Sequence, residues 1–351
     1  MSQSIGVIGA GAWGTAMAHS LARQGHEVAI WALEKDVVES INARHVNERF
    51  LPGFPLAENL TASTDMAEVA TGKGFLILAS PSLYLARTVQ GLLGVPNIKD
   101  GSTCIGVLTK GFIPSASGPR LIVETLEDVL PASYRKSVVY ISGPSHAEEV
   151  AMGKVTGLIA ASENPMNSIR FRELIKSKGL LVYSSLDVVG VQVCAAAKNV
   201  VAIAFGCLDA IAEKSDAFGD NTESLLFAAG LNEILTIGRA MGATHPETFT
   251  SLSGVGDLDV TCRSKFGRNH RFGHDIIKSG VLEKFSSLDD LISRISEIGY
   301  LPEGAVACKY VHEISATQGL KLPICDGLYR ILNKELAPVD FIEKLLDGVQ
   351  I

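Results

Sequence analysis

SIGVIGAGAWGTAMA, residues 4–18, decides the reading of this chain. A short apolar run, Ser4 to Ile8, enters the glycine turn Gly9-Ala10-Gly11-Ala12-Trp13-Gly14. A helix-forming segment follows to Gln24, then a second apolar run, Val28 to Trp31, and an acid at Glu34. Strand, glycine turn, helix, strand and acid in this order form the layout that holds the pyrophosphate and ribose of a dinucleotide. Gly9 permits the sharp exit from the strand, Gly11 lets a phosphate approach the backbone, and Gly14 lets the helix pack close. The free N–H groups at the helix start then face negative charge. The alternative is a tight turn that only joins strand to helix. Glu34 stands where an acid accepts hydrogen bonds from the adenine-ribose hydroxyls, and its charge disfavours a 2′-phosphate. That favours NAD over NADP, although Lys35 next to it offers a cation to such a phosphate, and a plain helix-start acid is the bland reading.

Further along, apolar strands alternate with amphipathic helices to about residue 185. The strands expected are Ile5–Gly9, Glu27–Trp31, Phe75–Ala79, Cys104–Leu108, Val138–Ser142, Gly157–Ala161 and Leu180–Tyr183. Most are continuous apolar runs, as in strands covered on both faces. The alternation predicts an α/β fold with a doubly wound, mainly parallel, Rossmann-type sheet whose ligands lie at the carboxyl ends of the strands. Residues 45–60, with Pro52, Gly53 and Pro55, read as a long loop on that side. After Asp187 the pattern turns helical: about 187–212, 221–241, 270–279, 287–297, 304–318 and 323–333. The expectation is a dinucleotide-binding domain over 1–186 and an all-α substrate and catalytic domain over 187–351.

The 351 residues exceed one ordinary core, and 47% hydrophobic with 20% charged composition marks a globular chain. A formal net charge of −7 argues against a general nucleic-acid binder. Six scattered cysteines without a CxxC pair suit neither zinc nor a secreted disulfide framework, and reduced thiols in a cytoplasmic protein are the simplest reading. No metal site is expected. The chain starts almost at its first strand, leaving no room for a signal peptide. The apolar run from Val188 to Leu208 is broken by Gln192, Lys198 and Asn199, so a buried helix is expected rather than membrane insertion.

Lys198 stands out as the single charge in that run. Burying it is costly without a partner, unless it snorkels to water. A desolvated amine suits proton exchange with a carbonyl oxygen during hydride transfer. In LSGVGDLDVTC (252–262), Asp257 either caps a helix or faces Lys198. Arg263, Lys265, Arg268, Asn269, His270 and Arg271 form the most basic stretch, read either as a solvated face or as donors for a substrate phosphate. Three strand ends carry polar groups: Ala79-Ser80-Pro81-Ser82, Thr109-Lys110-Gly111 and Ser142-Gly143-Pro144-Ser145-His146. Each is either a site contact or an ordinary capped turn.

Together, GAGAWGTAMA (9–18), RHVNERFLPG (44–53), LTKG (108–111), SGPSHAEEV (142–150), AAAKNVVAIAFG (195–206), GVGDLDVTC (254–262), GRNHRFG (267–273) and PEG (302–304) resemble the NAD(P)-dependent glycerol-3-phosphate dehydrogenase family. Their order and spacing span the chain. The resemblance implies interconversion of sn-glycerol 3-phosphate and dihydroxyacetone phosphate, feeding glycerophospholipid synthesis, by a cytoplasmic homodimer. It implies Lys198 as proton donor and acceptor. Lys110, Gly143, Ser145, Lys198, Asp257, Arg268 and Asn269 match the family's substrate contacts. Gly9, Gly11, Ala12, Trp13, Gly14, Glu34, Lys110, Ala147, Arg268, Leu301 and Glu303 are the cofactor contacts that the turn and the resemblance together indicate. Departures are Gly267 where the family has serine, His146 where phenylalanine is common, and Ala229 where an arginine is usual. Two other readings stay open: reduction of another phosphorylated or carboxylated carbonyl compound, and a non-catalytic NADH sensor.

Overall fold

Every expected strand forms in the computed structural model, which describes residues 2–116, 118–264 and 267–341. Among the described residues the strands are β1 (Ser4–Ile8), β2 (Glu27–Trp31), β3 (Val46–Asn47), β4 (Leu51–Pro55), β5 (Leu60–Ser63), β6 (Phe75–Leu78), β7 (Cys104–Val107), β8 (Val139–Ser142), β9 (Thr156–Ala161) and β10 (Leu180–Ser185). Eight make one sheet in the order β10-β9-β8-β7-β6-β1-β2-β5. Pairing is parallel throughout, as in Ile5 beside Val28 and Ile8 beside Leu78, except that β8 and β9 run antiparallel. This is the Rossmann-type doubly wound sheet, with two reversed strands added at one side. Strands β6, β7 and β8 are buried along their whole length, which explains their uninterrupted apolar sequence.

Two features differ from the sequence reading. The stretch 45–60 is not an open loop: β3 and β4 pair antiparallel as a hairpin, and Leu51 is fully buried. Pro52 and Gly53 mimic loop composition, yet both lie in a short two-stranded ribbon where Pro costs no ladder bond. Strand β5 was also missed, because Leu60-Thr61-Ala62-Ser63 is short and half polar, as an edge strand is.

By internal contacts the chain forms two units, residues 1–113 with 121–188, and 114–120 with 189–351. The second is helical and built around the helix Val188–Ala212. That helix is long and apolar enough to cross a membrane, but 94% of its apolar window is buried within the protein, so it is a core helix. Three neighbours approach it at glycines. A Cβ on Gly230 would lie 2.5 Å from Val201, one on Gly273 2.0 Å from the Ile203 carbonyl oxygen, and one on Gly304 2.4 Å from that of Asn199. All six cysteines are buried as free thiols.

Candidate active site

The site residues are built from the strand ends upward. At the end of β1, Gly9 has φ +123°, and a Cβ there would meet the Ala79 carbonyl carbon at 2.8 Å. Gly14 touches back onto the turn, its missing Cβ only 2.0 Å from Gly9 O. Gly11 caps the helix Ala12–Arg23 and has nothing within 4 Å of its Cβ position. Two glycines are therefore needed for packing and the third leaves open space at a helix N-terminus, which fits a pyrophosphate. Ala12 and Trp13 are half-buried in the first turn, and the buried Trp13 Nε1 has no partner among the described residues. The turn lies where β1 has β2 on one side and β6 on the other, the switch point of a doubly wound sheet.

Glu34 follows β2 and precedes the helix Lys35–Arg44 without capping it through its side chain. Its carboxylate is half-buried and uncommitted among the described residues. The polar groups after β6, β7 and β8 share one sheet edge, since these strands are parallel neighbours. Thr109 Oγ1 donates to Ser80 O at 2.6 Å, and Lys110 Nζ donates to Gly143 O at 3.3 Å. Gly143 has φ +130°, with the Gly157 carbonyl 2.7 Å from its Cβ position, so only glycine fits. Ser145 Oγ also donates to Gly143 O, at 2.9 Å. Ala147 opens the short helix Ala147–Ala151 and packs in the core.

In the second unit Lys198 is 5% exposed and does not snorkel. Its ammonium donates to Asp257 Oδ1, and to Thr261 Oγ1 at 2.9 Å. Asp257 is 1% exposed, and Gly256 rather than Asp257 occupies the cap of the helix Asp257–Arg263. Of the two sequence readings of Asp257, the structure has the one facing Lys198. Thr261, absent from the sequence expectations, sits one turn after Asp257 and donates to its carbonyl at 2.6 Å. The i, i+4 spacing of Asp257 and Thr261 was the available signal.

The basic stretch separates into roles. Arg263 pairs with Asp259 at 2.9 Å and Glu223 at 3.2 Å, His270 with Asp209 at 2.5 Å, and Arg271 with Asp275 at 3.6 Å. Lys265 lies outside the described residues. Arg268, at the exposed start of the helix Arg268–Lys278, has no acidic partner among the described residues. Asn269 is buried, and its Oδ1 accepts from Gly304 N at 2.8 Å. A backbone N–H selects the amide oxygen, so Nδ2 is the group left for a ligand. Leu301 and Glu303 are half-buried at the start of the helix Glu303–Gln318. Gly267, where the family has serine, would carry a Cβ only 3.0 Å from Ser264 O and 3.1 Å from Thr261 O. A side chain here needs those two carbonyls to give by a few tenths of an ångström. Ala229 is buried in the helix Asp220–Ala240. Among the described residues no group of three or more His, Cys, Asp and Glu could hold a metal.

A glycine turn at the switch point of a doubly wound sheet defines the class, a Rossmann-type dinucleotide-binding fold. Comparison with known proteins makes it particular. Residues 4–168 match the family model described as NAD-dependent glycerol-3-phosphate dehydrogenase N-terminus, and residues 187–343 match its C-terminus. The chain is 61% identical over 354 aligned positions to a glycerol-3-phosphate dehydrogenase (NAD(P)+) of Treponema denticola, covering 99% of each. It is also similar to the crystal structure of glycerol-3-phosphate dehydrogenase from Coxiella burnetii, with TM-score 0.86, 31% identity and 99% of each chain covered. The corresponding structure from Saccharomyces cerevisiae gives TM-score 0.78 at 26% identity, covering 98% of this chain and 100% of that one. The chain belongs to the NAD-dependent glycerol-3-phosphate dehydrogenase family.

Proposed function

We propose that this chain interconverts sn-glycerol 3-phosphate and dihydroxyacetone phosphate with NAD or NADP, supplying glycerol 3-phosphate for glycerophospholipid synthesis. The nicotinamide nucleotide, when bound, supplies or accepts the hydride. The amide groups at the start of the helix Ala12–Arg23 hold its pyrophosphate, with Gly9 and Gly14 shaping the turn. Glu34 accepts from the adenine-ribose hydroxyls, and its uncommitted carboxylate favours NAD. Ala147, Leu301 and Glu303 border the nucleotide.

In reduction, C2 of the substrate gains a hydride and its oxygen gains negative charge. The Lys198 ammonium stabilises that charge and gives the oxygen a proton. In oxidation the neutral amine takes the hydroxyl proton as the hydride leaves C2. Asp257 and Thr261 fix the amine, so it meets the transition state without reorganising. Arg268 and Asn269 Nδ2 grip the phosphate, and Lys110, Gly143 and Ser145 complete the substrate contacts. Phosphate binding then orients a carbon that the phosphate does not touch. We also propose a cytoplasmic homodimer, which light scattering of the purified protein tests.

The observation that carries the reading is the buried Lys198–Asp257–Thr261 cluster. Its test is addition of dihydroxyacetone phosphate to the protein with NADH and, in parallel, NADPH. Steady loss of nicotinamide absorbance, faster with NADH, is expected. Binding of NADH with no turnover would leave the sensor reading, and turnover only with a different carbonyl compound would move the substrate.

A further inference from the structure

We infer that Asn47, in the hairpin of β3 and β4, is a positioning residue for the nucleotide's pyrophosphate, an inference that rests on the function proposed above. Asn47 is fully buried. Its Nδ2 donates to Ala10 O at 2.9 Å and to Thr15 Oγ1 at 2.8 Å. Its Oδ1 accepts from Phe50 N at 3.1 Å, which fixes the orientation of the amide. Thr15 Oγ1 closes the triangle by donating to Ala10 O at 3.1 Å. The Ala10 carbonyl thus receives two donors, one from a residue 37 positions along the chain.

That carbonyl belongs to the peptide unit joining Ala10 to Gly11, in the middle of the glycine turn. No peptide among the described residues is cis, and in a planar trans unit the N–H points opposite to the C=O. Holding the Ala10 carbonyl inward therefore turns the Gly11 N–H outward. Gly11 lies at the helix cap, and neither its N–H nor that of Ala12 has an acceptor among the described residues. The hairpin consequently sets the direction of a donor that an anion would use, while Asn47 touches no ligand. Without the Asn47 amide, the peptide unit keeps one anchor and can rotate, so the donor must be ordered when the anion binds.

The test measures binding of ADP-ribose, which carries the pyrophosphate but no nicotinamide, by calorimetry. Asn47→Ala is expected to raise the ADP-ribose Kd and the KM for NADH about tenfold, the effect of one lost hydrogen bond of about 1.4 kcal/mol. The kcat at saturating NADH and the KM for dihydroxyacetone phosphate should stay within about twofold. Thr15→Val removes the second donor to the same carbonyl and should weaken ADP-ribose in the same way, which serves if Asn47→Ala does not fold. Ser40→Ala is the control. It deletes another hydrogen bond of the hairpin, from Ser40 Oγ to Val46 O at 2.8 Å, without touching Ala10. It should leave the ADP-ribose Kd unchanged whatever its melting temperature. Wild-type affinity for ADP-ribose in a folded Asn47→Ala or Thr15→Val variant overturns the inference, as does equal weakening by Ser40→Ala. Failure of the wild-type protein to bind ADP-ribose would instead remove the function proposed above.

Discussion

Lys198 is held by a bargain that no surface lysine makes. Its ammonium is nearly out of water and has a carboxylate and a hydroxyl as partners. Lys198→Ala should lower kcat by about a hundredfold or more while calorimetry finds NADH affinity nearly unchanged. Asp257→Asn leaves a buried positive charge without its counter-charge and should cost roughly 3–5 kcal/mol in urea-unfolding stability, the usual result of breaking a buried pair. An Asp257→Asn protein as stable as wild type would show that the pair contributes little. Lys198 was legible in the sequence because a lone charge interrupts an apolar run. Thr261 was not, because threonine is unremarkable in a helix until its spacing from Asp257 is read three-dimensionally. By composition Arg268 was one of several bases, and only the family resemblance singled it out. What separates it is the absence of an acidic partner among the described residues, which depends on folded neighbours.

At the scale of elements, the helix Pro323–Leu332 is capped from outside. Glu233, on the helix Asp220–Ala240, accepts from Ile324 N at 2.6 Å and Cys325 N at 3.0 Å. These bonds favour the carboxylate, but burial opposes it more strongly and the nearby Asp326 adds repulsion, so its pKa is pushed up from 4.5 to about 7. The folded protein therefore holds a proton that the unfolded chain has released between pH 4.5 and about 7. Stability should fall as pH rises through that window, by up to roughly 3 kcal/mol, and level off above it. Replacing Glu233 with Gln abolishes the titration, and denaturation at pH 5 and pH 7.5 should show a smaller decline in the variant than in the wild type. An identical decline in both would assign the pH dependence to other groups. Helices and buried strands were readable because period and length distinguish them. The hairpin of β3 and β4 was not, since its proline and glycine look like loop and its order comes from Asn47 and Leu51 beneath it. Glu233 gave no signal either, because its partners are backbone groups about 90 residues away.

Across the whole molecule, the chain is acidic, with a formal net charge of −7. That net charge says nothing about where Lys110 and Arg268 stand. The change from alternating strands to continuous helix near residue 186 was legible from periodicity alone. Membership of residues 114–120 in the second unit was not, because it depends on contacts rather than on pattern. The thiols are distributed unevenly between the units: Cys104 lies in the first, and Cys194, Cys207, Cys262, Cys308 and Cys325 lie in the second. Each is shielded from solvent, and burial raises the pKa of Cys104, Cys207, Cys262, Cys308 and Cys325. An alkylating reagent should therefore find the native protein inert and react only as a unit opens. Mass spectrometry of iodoacetamide adducts over time would then time each unit's opening separately, with Cys104 as the clock for the nucleotide-binding half and the other five for the helical half; prompt modification of the native protein would refute it. The chain carries its own reporters of breathing, with no dye or probe to be engineered in.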